Sequence, residues 1–244
     1  MDRITALLIE GMIIARGIHN PSEGKAIVQK MANDNDKSNL AIFGACHIWY
    51  YIMDRQSPEA ITEEALEIMR SLVECWLDAK QDGYGVAKYM CRAYQIYPLG
   101  YYAALWSKAN PEEPVDLLAE YSNRAIETDD EELKLHVVGT FGDFRHPLYR
   151  YPAALTVLEP YLRNVDPKSP DSPMWQALVE SLGSLRSTNP ADVDVVLDTY
   201  RAPGKLIDDI KAVSFHKPLP QVYVRSTQVF VDILAKGPNI VSRD

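Results

Sequence analysis

EAITEEALEIMRSLVECWLDAK, residues 59–80, decides the fold class. Ile61, Ala65, Leu66, Ile68, Met69, Leu72, Val73, Trp76 and Leu77 recur there at spacings of three and four, with Glu63, Glu64, Glu67, Arg70, Glu74 and Asp78 between them. Helical geometry gathers such apolar positions into one stripe and turns the charges to solvent. The expected element is one amphipathic helix of about five turns. Ser57-Pro58 ahead of it supplies an N-cap candidate and a proline at the first helical position, where its missing N–H costs no bond. Period-two alternation is sustained nowhere, and Asp82-Gly83, the lone hairpin-type dipeptide, has helical flanks, so strands are not expected.

The same punctuation recurs outward from this stretch. Asn20-Pro21, Ser57-Pro58, Asn110-Pro111, Tyr151-Pro152 and Asn189-Pro190 each open an amphipathic run, with prolines 37, 53, 41 and 38 residues apart. The tenth residue after Pro21, Pro111 and Pro190 is large and apolar: Met31, Tyr121 and Tyr200. The 53-residue interval holds Asp82-Gly83-Tyr84-Gly85 and Tyr97-Pro98-Leu99-Gly100, which point to an extra or irregular helix. The segments before the turns also echo each other: HVVGTFGDF (136–144) laid over ALVESLGSL (177–185) puts Gly142 on Gly183.

This unit resembles a HEAT repeat, whose first helix carries small and β-branched apolar residues ending in an apolar-Gly pair before a short turn and a second helix. The resemblance implies an all-α fold, an α-α superhelix built as a right-handed solenoid of antiparallel helix pairs. It implies a single helical-repeat domain over 1–244, with approximate units 1–36, 37–80, 81–127, 128–165, 166–202 and 203–244. Val222–Ala235 reads as a partial or capping helix. A helix pair cannot bury its apolar face alone, and stacking such pairs builds a continuous core. A tetratricopeptide array, with a period of about 34 residues, fits these longer and less regular intervals less well.

Composition narrows the partners. The 244 residues carry a net charge of -9 with 47% hydrophobic content, a field that repels nucleic-acid phosphates and anionic membranes. Charge reverses near the end: residues 200–244 hold seven Lys+Arg against four Asp+Glu. A basic stripe of Arg201, Lys205, Lys211, Lys217 and Arg225 with His216 is a nucleic-acid candidate, because HEAT-like DNA glycosylases bind duplex DNA on a basic concave surface. The small local surplus favours ordinary solvated helix faces. Three scattered cysteines, Cys46, Cys75 and Cys91, suit reduced, buried thiols, and the opening ITALLIEGMIIARGI is interrupted by Glu10 and preceded by Asp2, unlike a leader. No other run approaches a membrane span. The expected location is cytoplasmic.

Six of the 14 tyrosines lie in 84–102, followed by Trp106. Tyr89, Tyr94, Tyr97 and Tyr101 are the candidate partner-binding residues, since tyrosine is a favoured anchor for a peptide or helix. The competing expectation is that these rings fill an irregular interface between units. His47-Ile48-Trp49-Tyr50-Tyr51 reads as a helix buried on several sides, and adjacent Cys46 and His47 diverge too far to share a metal. Thr128-Asp129-Asp130-Glu131-Glu132 reads as a helix start, with Thr128 or Asp129 as cap and carboxylates at the positive dipole end. Glu132 and His136 can meet on one face as a weak surface pair. His19, His146 and His216 complete no metal spacing, and no GxGxxG, Walker or GxSxG sequence is present.

The expected function is a non-enzymatic scaffold or adaptor for a protein or peptide of basic character, without metal or cofactor. The alternatives are an enzyme on a HEAT-like scaffold, of the DNA glycosylase or chromophore lyase type, and a self-associating segment of a larger assembly, including a homo-oligomer.

Overall fold

The computed structural model of the chain describes residues 20, 22–26, 28, 39–78, 98–142 and 147–213. Among these residues the secondary structure is helical, with no strand. The helices whose bounds are described are α1 (Asn39–Asp54), α2 (Glu63–Asp78), α3 (Pro98–Ala109), α4 (Asp116–Glu127), α5 (Glu131–Thr140), α6 (Ala154–Arg163), α7 (Pro173–Thr188), α8 (Pro190–Thr199) and α9 (Gly204–Ala212). Short 3-10 turns occupy Pro58–Ala60 and Pro147–Arg150.

Helix starts match the proline punctuation only in part. Ser57-Pro58 opens only the 3-10 turn. The helix proper begins at Glu63, where Thr62 Oγ1 accepts the N–H of Ala65 at 3.3 Å. Likewise α4 begins five residues beyond Pro111, whereas α8 does begin at Pro190. The cap of α5 is Asp130, not Thr128 or Asp129: its carboxylate accepts the N–H groups of Glu132 and Leu133, both at 3.1 Å. Thr128 instead ends α4, and Asp129 takes φ 51°. The N–H of Asp130 then reaches back to the carbonyl of Ala125 at 3.0 Å, closing a Schellman-type end. Arg201 (φ 50°) does the same after α8, where Ala202 N–H meets Leu197 carbonyl at 2.9 Å.

The helices pack in two layers. α1, α3, α5, α7 and α9 follow one another, each against the next in that series, and α4, α6 and α8 do so on the other side. Cross-layer contacts join α1 to α2, α2 to α3, α3 to α4, α4 to α5, α6 to α7 and α7 to α8. Burial sorts the layers as that packing requires. Leu133, Leu135, His136, Val137, Val138, Gly139 and Thr140 of α5 are all buried, around the full circumference of the helix. Helix α2 buries one stripe: Ala65, Leu66, Met69, Leu72, Val73 and Trp76.

Buried side-chain donors cross between helices. Trp49 Nε1 donates to the Ala65 carbonyl at 2.8 Å, and Ser181 Oγ to the Val138 carbonyl at 2.6 Å. The two glycines that echo in sequence both mark close approaches. A methyl at Gly142 would stand 3.3 Å from Glu180 Cβ, and one at Gly183 only 2.7 Å from Val213 Cβ. Gly142 lets α7 sit against the end of α5, and Gly183 lets Val213, which caps α9, sit against the interior of α7.

Candidate functional site

A five-residue pattern recurs in α2, α4, α6 and α8, here called the outer helices, at a different distance from the start of each. It reads Leu72-Val73-Glu74-Cys75-Trp76 in α2, Leu117-Leu118-Ala119-Glu120-Tyr121 in α4 and Val157-Leu158-Glu159-Pro160-Tyr161 in α6. Val196-Leu197-Asp198-Thr199-Tyr200 closes α8. Successive copies start 45, 40 and 39 residues apart. Positions one, two and five are buried in α2, α4 and α6, as spacings of one and three to four on a helix dictate for a single apolar face.

In α2 and α6, position three receives the aromatic residue of the following copy. Glu74 accepts the Tyr121 hydroxyl at 2.6 Å and Arg124 Nη1 on both carboxylate oxygens at 2.8 and 2.7 Å. Glu159 accepts the Tyr200 hydroxyl at 2.7 Å, while Arg163 donates to that hydroxyl at 2.8 Å and lies 4.5 Å from the ring centroid. In α4 the position is Ala119, which has no oxygen to offer. There the Tyr161 hydroxyl pairs with Ser122 Oγ at 2.9 Å instead.

Burial first, then the hydrogen bond to Glu74, pushes the Tyr121 phenol far above its ordinary range. Burial above all drives Tyr161 the same way, against Ser122, and lifts Tyr102, which meets Tyr121 edge-on, to about 12, with the nearby carboxylates adding to both. Arg124 is held more firmly protonated by its bonds to Glu74. These phenols are neutral donors across the physiological range, neither nucleophiles nor anionic ligands. The arrangement joins outer helices in register, a structural task.

Of the tyrosines expected to bind a partner, Tyr101 lies among the described residues. Tyr101 is 1% exposed and stacks on Tyr50 with centroids 4.8 Å apart, so its ring is core and offers no surface. Tyr89, Tyr94 and Tyr97 lie outside the described residues. Ile48, Trp49 and Tyr50 are buried with Cys46, and Cys75 is half-buried. His136 is a core residue, not part of a surface pair: it is 1% exposed, with Nε2 3.6 Å from Glu132 and its ring against Trp76. His19, Cys91, His146, His216, Lys217 and Arg225 also fall outside. Of the basic stripe, Lys205 is paired with Asp209 at 3.0 Å.

Among the described residues no three His, Cys, Asp or Glu side chains gather as metal ligands, and no helix is long and apolar enough to cross a membrane. The exposed outer-layer residues are strongly acidic. Glu63, Glu64, Glu67 and Asp78 stand on α2, Asp116, Glu120 and Glu127 on α4, and Asp192, Asp194 and Asp198 on α8. Comparison with protein families, curated proteins and solved structures found no match to this chain.

Proposed function

We propose that the chain is a HEAT-like helical-repeat scaffold, a solenoid whose stacked helix pairs present an acidic surface to a basic protein or peptide. The observation that carries this reading is the motif repeated in four outer helices, each copy tied to the next through a side chain. A quasi-one-dimensional stack devotes its interior to neighbour contacts and leaves long faces for recognition. The surplus of carboxylates along α2, α4 and α8 favours a cationic ligand and fast, salt-sensitive association. Cytoplasmic residence agrees with three dispersed cysteines, of which Cys46 is buried.

The test is crosslinking affinity capture with the purified chain at low and high salt, followed by mapping of crosslinks onto the outer helices. The scaffold reading expects a discrete protein partner whose capture falls as salt rises. A chain that stays monodisperse and captures nothing specific under either condition sinks it.

A further inference from the structure

The repeated motif stops short at α8. Position one is buried in the first three copies, at Leu72, Leu117 and Val157, and so is position five, at Trp76, Tyr121 and Tyr161. In α8 the same positions, Val196 and Tyr200, are only half-buried. Position three is Asp198, the counterpart of Glu74 and Glu159, and it is exposed with no described side chain donating to it. Beside it Val195 is 64% exposed, the more open of the two large apolar side chains exposed among the described residues. α8 therefore carries an acceptor of the kind that α2 and α6 use to receive the next copy's tyrosine, and beside it an exposed valine where the earlier copies have Ser71, Asp116 and Thr156.

We propose that the free face of α8 (Val195, Val196 and Asp198) is a docking site for a helix of another protein that presents a tyrosine and, three residues on, an arginine. The donor set is the one that α4 presents to α2, where Tyr121 and Arg124 converge on Glu74. Charge selects against a second copy of this chain pairing through the same face. Antiparallel α8 helices centred on Val195 would set Asp192 against Asp198 of the other, a repulsion that a cationic partner turns into attraction. This inference rests on the scaffold reading and names its site.

The probe is a synthetic helix with the sequence of residues 113–129, in which Asp116, Glu120 and Glu127 are replaced by lysine, titrated into the full chain by fluorescence anisotropy. A peptide of this length is marginally helical alone, so a dissociation constant of roughly 10–100 μM is expected. Asp198→Ala or Val196→Lys in the chain, or Tyr121→Phe with Arg124→Ala in the peptide, should each weaken binding at least about tenfold. Binding that ignores Asp198→Ala, or no binding at about 1 mM, overturns the site. So does a photoreactive residue at Val195 that crosslinks within the chain or to a second copy. The scaffold reading has a separate readout: partners captured equally well by the Asp198→Ala chain leave it standing while this site falls.

Discussion

The Tyr121 hydroxyl stands 2.6 Å from a carboxylate oxygen of Glu74, 47 residues earlier in the chain, and Arg124 closes on the same carboxylate. One glutamate thus fixes the rotation of α4 relative to α2. Replacing it with alanine leaves a buried phenol without its acceptor, a cost of about 1–3 kcal/mol. The Arg124 contact adds little, because its side chain is 42% exposed and that of Glu74 29%. Glu74→Ala is expected to lose about 2 kcal/mol and lower the thermal midpoint by about 4–8 °C. A double-mutant cycle with Tyr121→Phe should show coupling of at least about 0.5 kcal/mol, and strict additivity would refute the link.

This relationship was half legible in the sequence. Counting ten residues from each proline finds Tyr121 and Tyr200 but passes over Tyr161, which stands nine beyond Pro152. Aligning on the aromatic residue instead recovers all four copies, including Trp76, because the buried face holds its register while capping turns vary in length. The all-helical class and the Gly142–Gly183 echo follow from periodicity, a local property. Tyr101 was less accessible to such reading. A tyrosine at helical spacing looks alike whether it meets solvent or the ring of Tyr50 from a helix that sequence places far away.

Gly183 tests the second echo. A helix-interior glycine replaced by alanine gains up to about 1 kcal/mol in propensity. Here the new methyl would lie 2.7 Å from Val213 Cβ, a backbone-anchored atom that cannot swing aside. Overpacking of that kind costs about 1–3 kcal/mol, so Gly183→Ala should destabilise despite its better propensity. Val213→Ala in the same chain should recover part of the loss in denaturant midpoint. If Gly183→Ala unfolds at higher denaturant than the parent, the close approach of α7 and Val213 is wrong.

Arg201 carries strain that glycine would relieve. Its φ of 50° closes the end of α8, where a side chain beyond Cα is unfavourable by about 1 kcal/mol. Arg201 is exposed, with no ion pair to lose among the described residues, so Arg201→Gly is expected to stabilise by about 0.5–1 kcal/mol. The equivalent change at Asp129 should gain less, because that carboxylate holds Lys134. Equal urea midpoints for Arg201→Gly and the parent would count against the left-handed end.

Glu180 gives the fold a pH dependence of defined sign. It lies half-buried on α7 beside Gly142, and burial pushes its carboxyl to about 7 from an ordinary 4.5. The native state therefore keeps a proton that the unfolded chain has released between those values, and stability falls as pH rises across that window. Above the window the penalty is complete; below it, both states are protonated and the penalty vanishes. The full shift corresponds to about 3 kcal/mol, which solvent around a partly exposed group reduces to about 1–2 kcal/mol. Glu180→Gln cannot ionise, so it should be the more stable protein at pH 8 by that amount and match the parent near pH 4. Unfolding in urea at both pH values measures the difference. If the variant keeps the parent's full decline between them, the carboxyl that ionises on unfolding is not Glu180, and α7 faces more water at this turn than its packing against α5 implies.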